Sequence, residues 1–420
     1  MTILIIALVI VLLILSWKYI LSLEPAGIFA IIWIVSVILV LMLQHYIVLR
    51  FEGILYIVIG VISFMLGTIF CDAFYHPINN TTTQYTFRKE WALPLLLILV
   101  AGAMVNPLYS IILHGFSLQA LLDMREMLEM NKGISEDRYS GAEHSNMINQ
   151  FFLIFCYAAP LFGGFSYRLV GKLTKVVCLL TLIPGMFIAL TQSMKMGMVT
   201  GFILWFTGYF ICSFCYGTPL KIKLRNILYS LGGLFGFFAI LFTSMVFRTG
   251  EISERTIHDI SEKFIAYAFG QFHCFDIWYT SATSTSLSWG SKTFMGISNV
   301  IGLEERTQGV YAEFHQIGQN GYYGMANIFT IFRSLIEDFG VVGTILVLFL
   351  IGIATKASMK NLICKNHFYL NQVFITAAYA YLMWSFATSF FTYTSYIAMF
   401  FVAYVLFRIL QKETLHADTY

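Results

Sequence analysis

The stretch NIFTIFRSLIEDFGVVG, Asn327–Gly343, sets an arginine and two acids into a run that otherwise reads as membrane. Placed at the centre of a spanning helix, each of Arg333, Glu337 and Asp338 would cost about 2.5–3.5 kcal/mol. The cost becomes small if they stand at the mouth of a helix bundle and the span starts at about Phe339. On a helix, Arg333 and Glu337 are i,i+4 neighbours that can pair, while Gly340 and Gly343 allow close helix approach. The first placement ends the chain in one long apolar block. The second puts a large polar loop ahead of a last group of spans.

The rest of the chain favours the second placement. Of 420 residues 59% are hydrophobic and only 11% charged, at a mean hydropathy of +0.78, which is too apolar for a soluble enzyme of this size. Apolar runs near 3–22, 27–49, 54–74, 92–113, 147–169, 174–192, 197–216, 227–247, 338–355, 371–390 and 393–410 are each about long enough to cross a bilayer. The expected fold is therefore all-α and polytopic, with about eleven transmembrane helices. The run Thr2–Ser16 has no basic residue before it and no small-residue cleavage site, so it reads as a retained first helix. Seven cysteines, mostly inside apolar runs and without metal-ligand spacing, indicate neither a metal site nor a disulfide framework.

Basic residues cluster at Arg168/Lys172/Lys175, Lys221/Lys223/Arg225 and Lys356/Lys360/Lys365, and the positive-inside rule assigns these loops and the C-terminus to the cytoplasm. Alternation adds Lys18 and the Arg88-Lys89 pair to that side. Two long segments fall on the outer side, 115–146 and 248–337, which divides the chain into a first bundle over 1–247, a large outer loop over 248–337 and a last group of helices over 338–420. In the first outer segment Leu118, Leu121, Leu122, Met124 and Leu128 alternate with charges, as in an amphipathic helix resting at the interface. The net charge of +3 is small and scattered, so nucleic-acid binding has no support.

The large loop holds the chemistry. It carries Arg248, Arg255, Arg306 and Arg333 with His258, His273 and His315. A guanidinium fork suits phosphate oxygens, although arginines at span ends more often only snorkel. Acids outnumber bases there, and interleaved signs more often mean ion pairs within the loop. His273 in QFHCF reads as a packed histidine, whereas His315 in EFHQIGQNG lies in a Gly- and Gln-rich setting where a neutral imidazole can take a proton from a hydroxyl. Phe269, Phe272, Phe275, Trp278 and Tyr279 recur at helical spacing; such a stripe is usually core and less often a sugar-stacking surface. No GxxxxGK[ST], HExxH, GxSxG or DxD pattern occurs.

Several stretches together resemble one family. Asn327-Ile328-Phe329-Thr330 followed by Asp338-Phe339-Gly340 and Gly343 is similar to the N-x-[YF]-T…DFGxxG signature of Wzy-type O-antigen and oligosaccharide repeat-unit polymerases, which are related to O-antigen ligases. ALTQSMKMG, Ala189–Gly197, resembles their TxSR-G turn with Lys195 in place of arginine; Arg138-Tyr139-Ser140-Gly141 resembles the end of their first outer loop; and AYAFGQFHCFD, ending at Asp276, resembles their aromatic helix. The resemblance implies a GT-C-like helical bundle with a large outer loop. The implied enzyme is an inverting, metal-independent glycosyltransferase, without cofactor, in the bacterial cytoplasmic membrane. It joins undecaprenyl-diphosphate-linked oligosaccharides on the outer face, with membrane lipids and a chain-length regulator as further expected partners. On that resemblance Arg248, Arg255 and His315 form the catalytic set. Lys195, Arg138, Asn327, Thr330, Arg333 and Asp338 contact substrate, with Asp338 capping or orienting a partner group.

Two other classes compete. A lipid-linked oligosaccharide flippase or other transporter would show paired halves and charges near midspan; Pro94, Pro107, Pro160 and Pro184 interrupt or flank spans, but no halves match. A nonenzymatic subunit of an envelope complex is the third.

Overall fold

The computed structural model describes the chain except residues 44–48, 79–82, 141–145, 219–223, 250–252, 282–285, 304–310, 318–324 and 416–420. It also leaves out the side chains of 138–140, 224–231, 234, 255, 256, 258, 261–268 and 415. Helix dominates. Among the described residues eight helices are long and apolar enough to cross a membrane: Thr2–Leu21, Pro25–Met42, Glu52–Phe74, Lys89–Leu113, Met147–Ser166, Lys172–Gln192, Lys195–Tyr216 and Ile331–Ile363. The other three expected spans overlap the helices Leu224–Thr249, Phe368–Trp384 and Thr394–Leu410; among the described residues Phe235–Thr249 and Thr394–Leu410 are apolar over fewer than 18 residues. The chain is an all-α polytopic membrane protein, with leucines, valines and isoleucines turned outward along many of its helices.

By internal contact the chain groups into two compact units, one of residues 1–84, 262–400 and 415–420 and the other of 85–261 and 401–414. This grouping follows packing rather than membrane topology, so it does not coincide with the segments 1–247, 248–337 and 338–420.

In the first unit the helices Glu52–Phe74 and Ile331–Ile363 run side by side in the same direction. Tyr56 donates to the Val341 carbonyl at 2.6 Å and Ser63 to the Ile345 carbonyl at 2.8 Å. Between them the two backbones touch: a Cβ on Gly67 would press into the Phe349 carbonyl, and one on Gly352 into the Phe64 carbonyl. Gly340 and Gly343 do not serve this purpose. Gly340 instead breaks its helix, with φ +73° and ψ 173°, a backbone conformation that L side chains rarely adopt.

Both ends of this helix pair are polar. At one end Asp72 is reached by Lys18 at 2.7 Å, Lys360 at 3.2 Å and Lys356 at 3.4 Å, and Lys356 also meets Glu24 at 2.7 Å. Lys356 and Lys360 therefore lie on the Ile331–Ile363 helix and are paired, rather than standing in a basic loop. At the other end Asp276, itself buried, accepts backbone N–H groups from Arg50, Phe51 and Gly53 and so caps the first turn of Glu52–Phe74. Lys356 stands sixteen residues beyond the helix break at Gly340. That is about 24 Å at 1.5 Å per residue, most of the thickness of a bilayer's hydrocarbon core.

The second unit packs Met147–Ser166 against Lys195–Tyr216 by the same device, since a Cβ on Gly164 would press into the Trp205 carbonyl and one on Gly208 into the Leu161 carbonyl. The segment expected on the outer side includes a short 3₁₀ turn, Leu118–Leu122, and a helix, Met124–Ser140. The apolar stripe expected to rest on an interface divides: Leu118, Leu122 and Met124 are exposed, whereas Leu128 is buried and Leu121 packs against the core of Ile111, Ala120, Met130 and Ile134. The strand ending at Phe87 pairs with the strand beginning at Gln411.

If the Gly67–Gly352 approach holds the first unit together, Gly67→Val should destabilise it by about 3 kcal/mol through overpacking. Gly232→Ala, at an open helical position, should be neutral or slightly stabilising. Thermal unfolding of the purified full chain in detergent, followed by tryptophan fluorescence, separates the two.

Candidate functional site

The stretch Asn327–Gly343 folds into a polar junction at one end of the first unit. Thr330 precedes the first turn of the Ile331–Ile363 helix, and Arg333 lies on that turn, buried. Its Nε donates to Glu337 at 2.9 Å, one turn along, while Nη1 and Nη2 donate to the two oxygens of Glu313 at 2.9 and 3.1 Å. Three rings close around the guanidinium, with its carbon 3.8 Å from the centre of Tyr311, 4.2 Å from Phe329 and 5.0 Å from Trp278. Each such contact is favourable because the ring face is electron-rich, and a desolvated cation gains most from it. Tyr311 also donates to Glu337 at 3.2 Å, and Asn327 donates to the Tyr311 carbonyl at 3.2 Å.

The two carboxylates are not equivalent. The Glu337 side chain is 13% exposed and fixed on the same helix; that of Glu313 is 55% exposed and comes from a non-helical segment. Arg333 holds the Glu313 carboxyl below its ordinary range. His315, two residues on, sets its ring edge-on to Phe329 at 5.7 Å, and its Nε2 is buried without a hydrogen-bond partner. Burial lowers its pKa from the ordinary 6.5, so the imidazole is neutral near pH 7. His273, by contrast, is buried with Nε2 2.9 Å from the Gln316 carbonyl, next to the short pairing of His315–Gln316 with Met325–Ala326. The Thr330 hydroxyl is buried and unpartnered as well.

Asp338 is fully buried, and both its oxygens are occupied by backbone amides, Lys292 N–H at 3.0 Å and Thr293 N–H at 2.7 Å. The break at Gly340 frees the carbonyls of Glu337 and Asp338 from the helix ladder, and they accept from Ser288 and Trp289 N–H at 3.0 and 3.1 Å. The acid thus ties the 288–293 segment to the start of the span. Its carboxylate serves the protein's own backbone, as a cap does, rather than facing outward to a substrate.

In the second unit the ALTQSMKMG stretch is a break between the helices Ile183–Gln192 and Lys195–Tyr216, made at Ser193 with φ +53°. Asn131 of the helix Met124–Ser140 donates to the Leu190 carbonyl at 2.6 Å and accepts from Ser193 at 2.9 Å. Ser244 donates to the Ala189 carbonyl, which brings the Leu224–Thr249 helix to the same break. Lys195 opens the helix that follows, half-buried, and Arg248 stands one turn beyond Ser244 on the same helix face. A lysine in a first helical turn adds positive charge to the positive end of the helix dipole, an arrangement that favours an anion.

Of the residues singled out from sequence, Asn327, Thr330, Arg333, Asp338 and His315 therefore gather in the first unit, and Lys195 and Arg248 belong to the second. Arg138 and Arg255 lie on the helices Met124–Ser140 and Glu254–Ser281, and their side chains fall outside the described part, as does Arg306 altogether. The aromatic stripe is core: Phe272 packs on Trp33, and Phe275 on Phe332. Sequence reasoning missed Glu313, Tyr311, Asn131 and Ser244, whose roles rest on contacts 20 or more residues away in the chain. Among the described residues no group of His, Cys, Asp and Glu is placed to hold a metal. Comparison with protein-family models, with curated proteins and with solved structures finds no match to this chain.

Because removing one partner of a buried pair strands the other charge, Glu337→Gln should cost about 3 kcal/mol or more, and Glu313→Gln about 1 kcal/mol or less. Thermal unfolding of the full chain checks the order. The pH dependence has a sign. His315 has a lowered folded pKa, so below about 6.5 the unfolded chain takes up a proton that the folded chain refuses, and stability falls as pH falls. Glu313, also lowered, adds a second loss below its ordinary 4.5. His315→Gln should remove the upper step from a melting-temperature profile between pH 8 and pH 3 and leave the lower one.

Proposed function

We propose that the chain is a polymerase that joins undecaprenyl-diphosphate-linked oligosaccharide repeat units into a surface polysaccharide, at the outer face of a bacterial cytoplasmic membrane. The observation that carries the reading is the junction at Arg333. The stretch that resembles the Wzy signature folds as one connected polar assembly at an end of an apolar slab, where an enzyme acting on lipid-linked sugars needs its polar groups. The opposite end holds Lys18, Lys356 and Lys360, in keeping with a cytoplasmic side there and an outer side at the junction.

In the proposed reaction a hydroxyl of one lipid-linked unit attacks the anomeric carbon of the growing chain. The bond from that carbon to the diphosphate oxygen breaks, and undecaprenyl diphosphate leaves with the electron pair. Lys195, Arg248 and Arg255 are assigned to the diphosphate, where fixed positive charge stabilises the departing anion. His315, neutral and with a free ring nitrogen, is assigned to the hydroxyl proton. Arg333 is already held by two carboxylates, so its assigned part is to order the junction around Asn327 and Thr330. Arg138 stays with substrate contact.

Deletion with complementation, followed by gel analysis of surface glycan, tests the reading. The null strain should carry single repeat units in place of a ladder, with lipid-linked units still reaching the outer face. Arg248→Ala and Arg255→Ala, at normal expression, should each slow polymerisation about 100-fold or more, the scale of one lost oxyanion-type donor. Ladders of normal length in the null strain would end the proposal. Lipid-linked units trapped on the inner face would favour a flippase instead.

A further inference from the structure

We infer that residues 286–303, in the middle of what sequence reads as an outer loop, lie in the lipid of the bilayer and extend the membrane-facing surface of the Ile331–Ile363 helix. The segment turns an unusual share of large apolar side chains outward. Trp289, Val300, Ile301 and Leu303 are 78%, 69%, 63% and 68% exposed, and Leu287, Phe294 and Ile297 join them. Its one charged residue is Lys292, whose long stem lets an ammonium reach a polar boundary. A patch of this kind at a water-facing surface would be costly, whereas in hydrocarbon it is the expected composition.

Three features make lipid the occupant. The first is the way the outward face is built. The helix Met295–Val300 is held on its inner side by Gly296, whose α-carbon lies so close to the 391–394 backbone that a Cβ would meet the Thr394 nitrogen at 2.8 Å; Thr394 donates to the Gly296 carbonyl at 2.9 Å, and Phe294 stacks on Phe391 at 5.2 Å. Met295 and Ser298 are buried against this support, so Ile297, Val300 and Ile301, at i, i+3 and i+4, form a single outward stripe.

The second is continuity with a spanning helix. Backbone bonds from Ser288 and Trp289 to Glu337 and Asp338, and the Asp338 carboxylate on Lys292 and Thr293, fasten the segment to the point where the span begins. Beyond that point the helix turns Val342, Leu346 and Leu350 outward at four-residue intervals, a lipid-facing stripe next to Leu287, which lies beside Gly340.

The third is that the backbone acceptors freed at the Gly340 break are taken up. The Gly340 break would strand two carbonyls, and the segment's amides take both, as is required wherever water is scarce. Lipid is thereby brought to the edge of the polar junction at Asp338.

The test is spin-label accessibility of the full chain in phosphatidylethanolamine–phosphatidylglycerol nanodiscs. Six of the seven cysteines are buried, so Val300→Cys and Ile301→Cys are labelled one at a time in a Cys364→Ser background, with Leu346→Cys as the lipid reference and Glu129→Cys as the water reference. The probes are dissolved oxygen and a polar nickel chelate. Both test sites should match Leu346→Cys, open to oxygen and about tenfold less accessible to nickel than Glu129→Cys, because a polar chelate is excluded from hydrocarbon. Nickel access like that of Glu129→Cys would place the segment in water. Protection from both probes would mean that protein covers it, a second copy or another chain, and either result overturns the inference. Both substitutions replace exposed side chains, and Ile297→Cys reads the same stripe independently.

Discussion

The close approach of the helices Glu52–Phe74 and Ile331–Ile363 is the contact from which the rest of the first unit follows. Two glycines, Gly67 and Gly352, let each backbone touch the other, and that proximity sets the height at which the helix ends stand. With the heights set, Asp72 comes within reach of Lys18, Lys356 and Lys360 at one end. At the other, Tyr56 reaches Val341 just past the Gly340 break. In lipid there is little hydrophobic gain from bringing two apolar helices together, so small residues and fitted backbones carry the association. The unbroken helix between the Gly340 break and the lysine end then covers most of the thickness of hydrocarbon.

Buried acids do backbone work at the junction end. Asp276 completes the amides of one helix start and Asp338 those of a loop, and each is almost wholly enclosed. Each carboxylate thereby has its hydrogen-bonding capacity met by backbone donors. Arg333 is handled differently, by two carboxylates and three rings. Among the described residues of the junction, His315, Thr330 and Thr293 keep buried, unpartnered polar atoms, and of these only the imidazole is a base, which is why the proposed chemistry is assigned to His315 rather than to Asp338.

Parts of both fold and site were legible in the sequence. The Arg333–Glu337 pair follows from helical spacing alone, and each apolar run expected as a span contains a helix. The break at Ser193 sits in the stretch read as a turn. Glu313 was not legible, because nothing local links a residue in a loop to an arginine twenty positions later; only packing around Phe329 and Tyr311 does. Gly340 and Gly343 were read as packing glycines, whereas the packing is done by Gly67 and Gly352. Spacing shows that a glycine permits an approach, and only the partner helix decides which glycine is used.

By itself the sequence determined that this chain is helical and lives in a membrane, since long apolar runs with paired backbones have few other stable forms. It also determined where polar groups interrupt those runs. Tertiary structure alone decided what each interruption does. Lys356 and Lys360 became members of an ion network because Asp72 and Glu24 lie beside their helix. Asp338 became a cap because a break two residues later brings in the amides of 292 and 293. The cost of a buried charge depends on the partners within a few ångströms, and those partners come from distant parts of the chain.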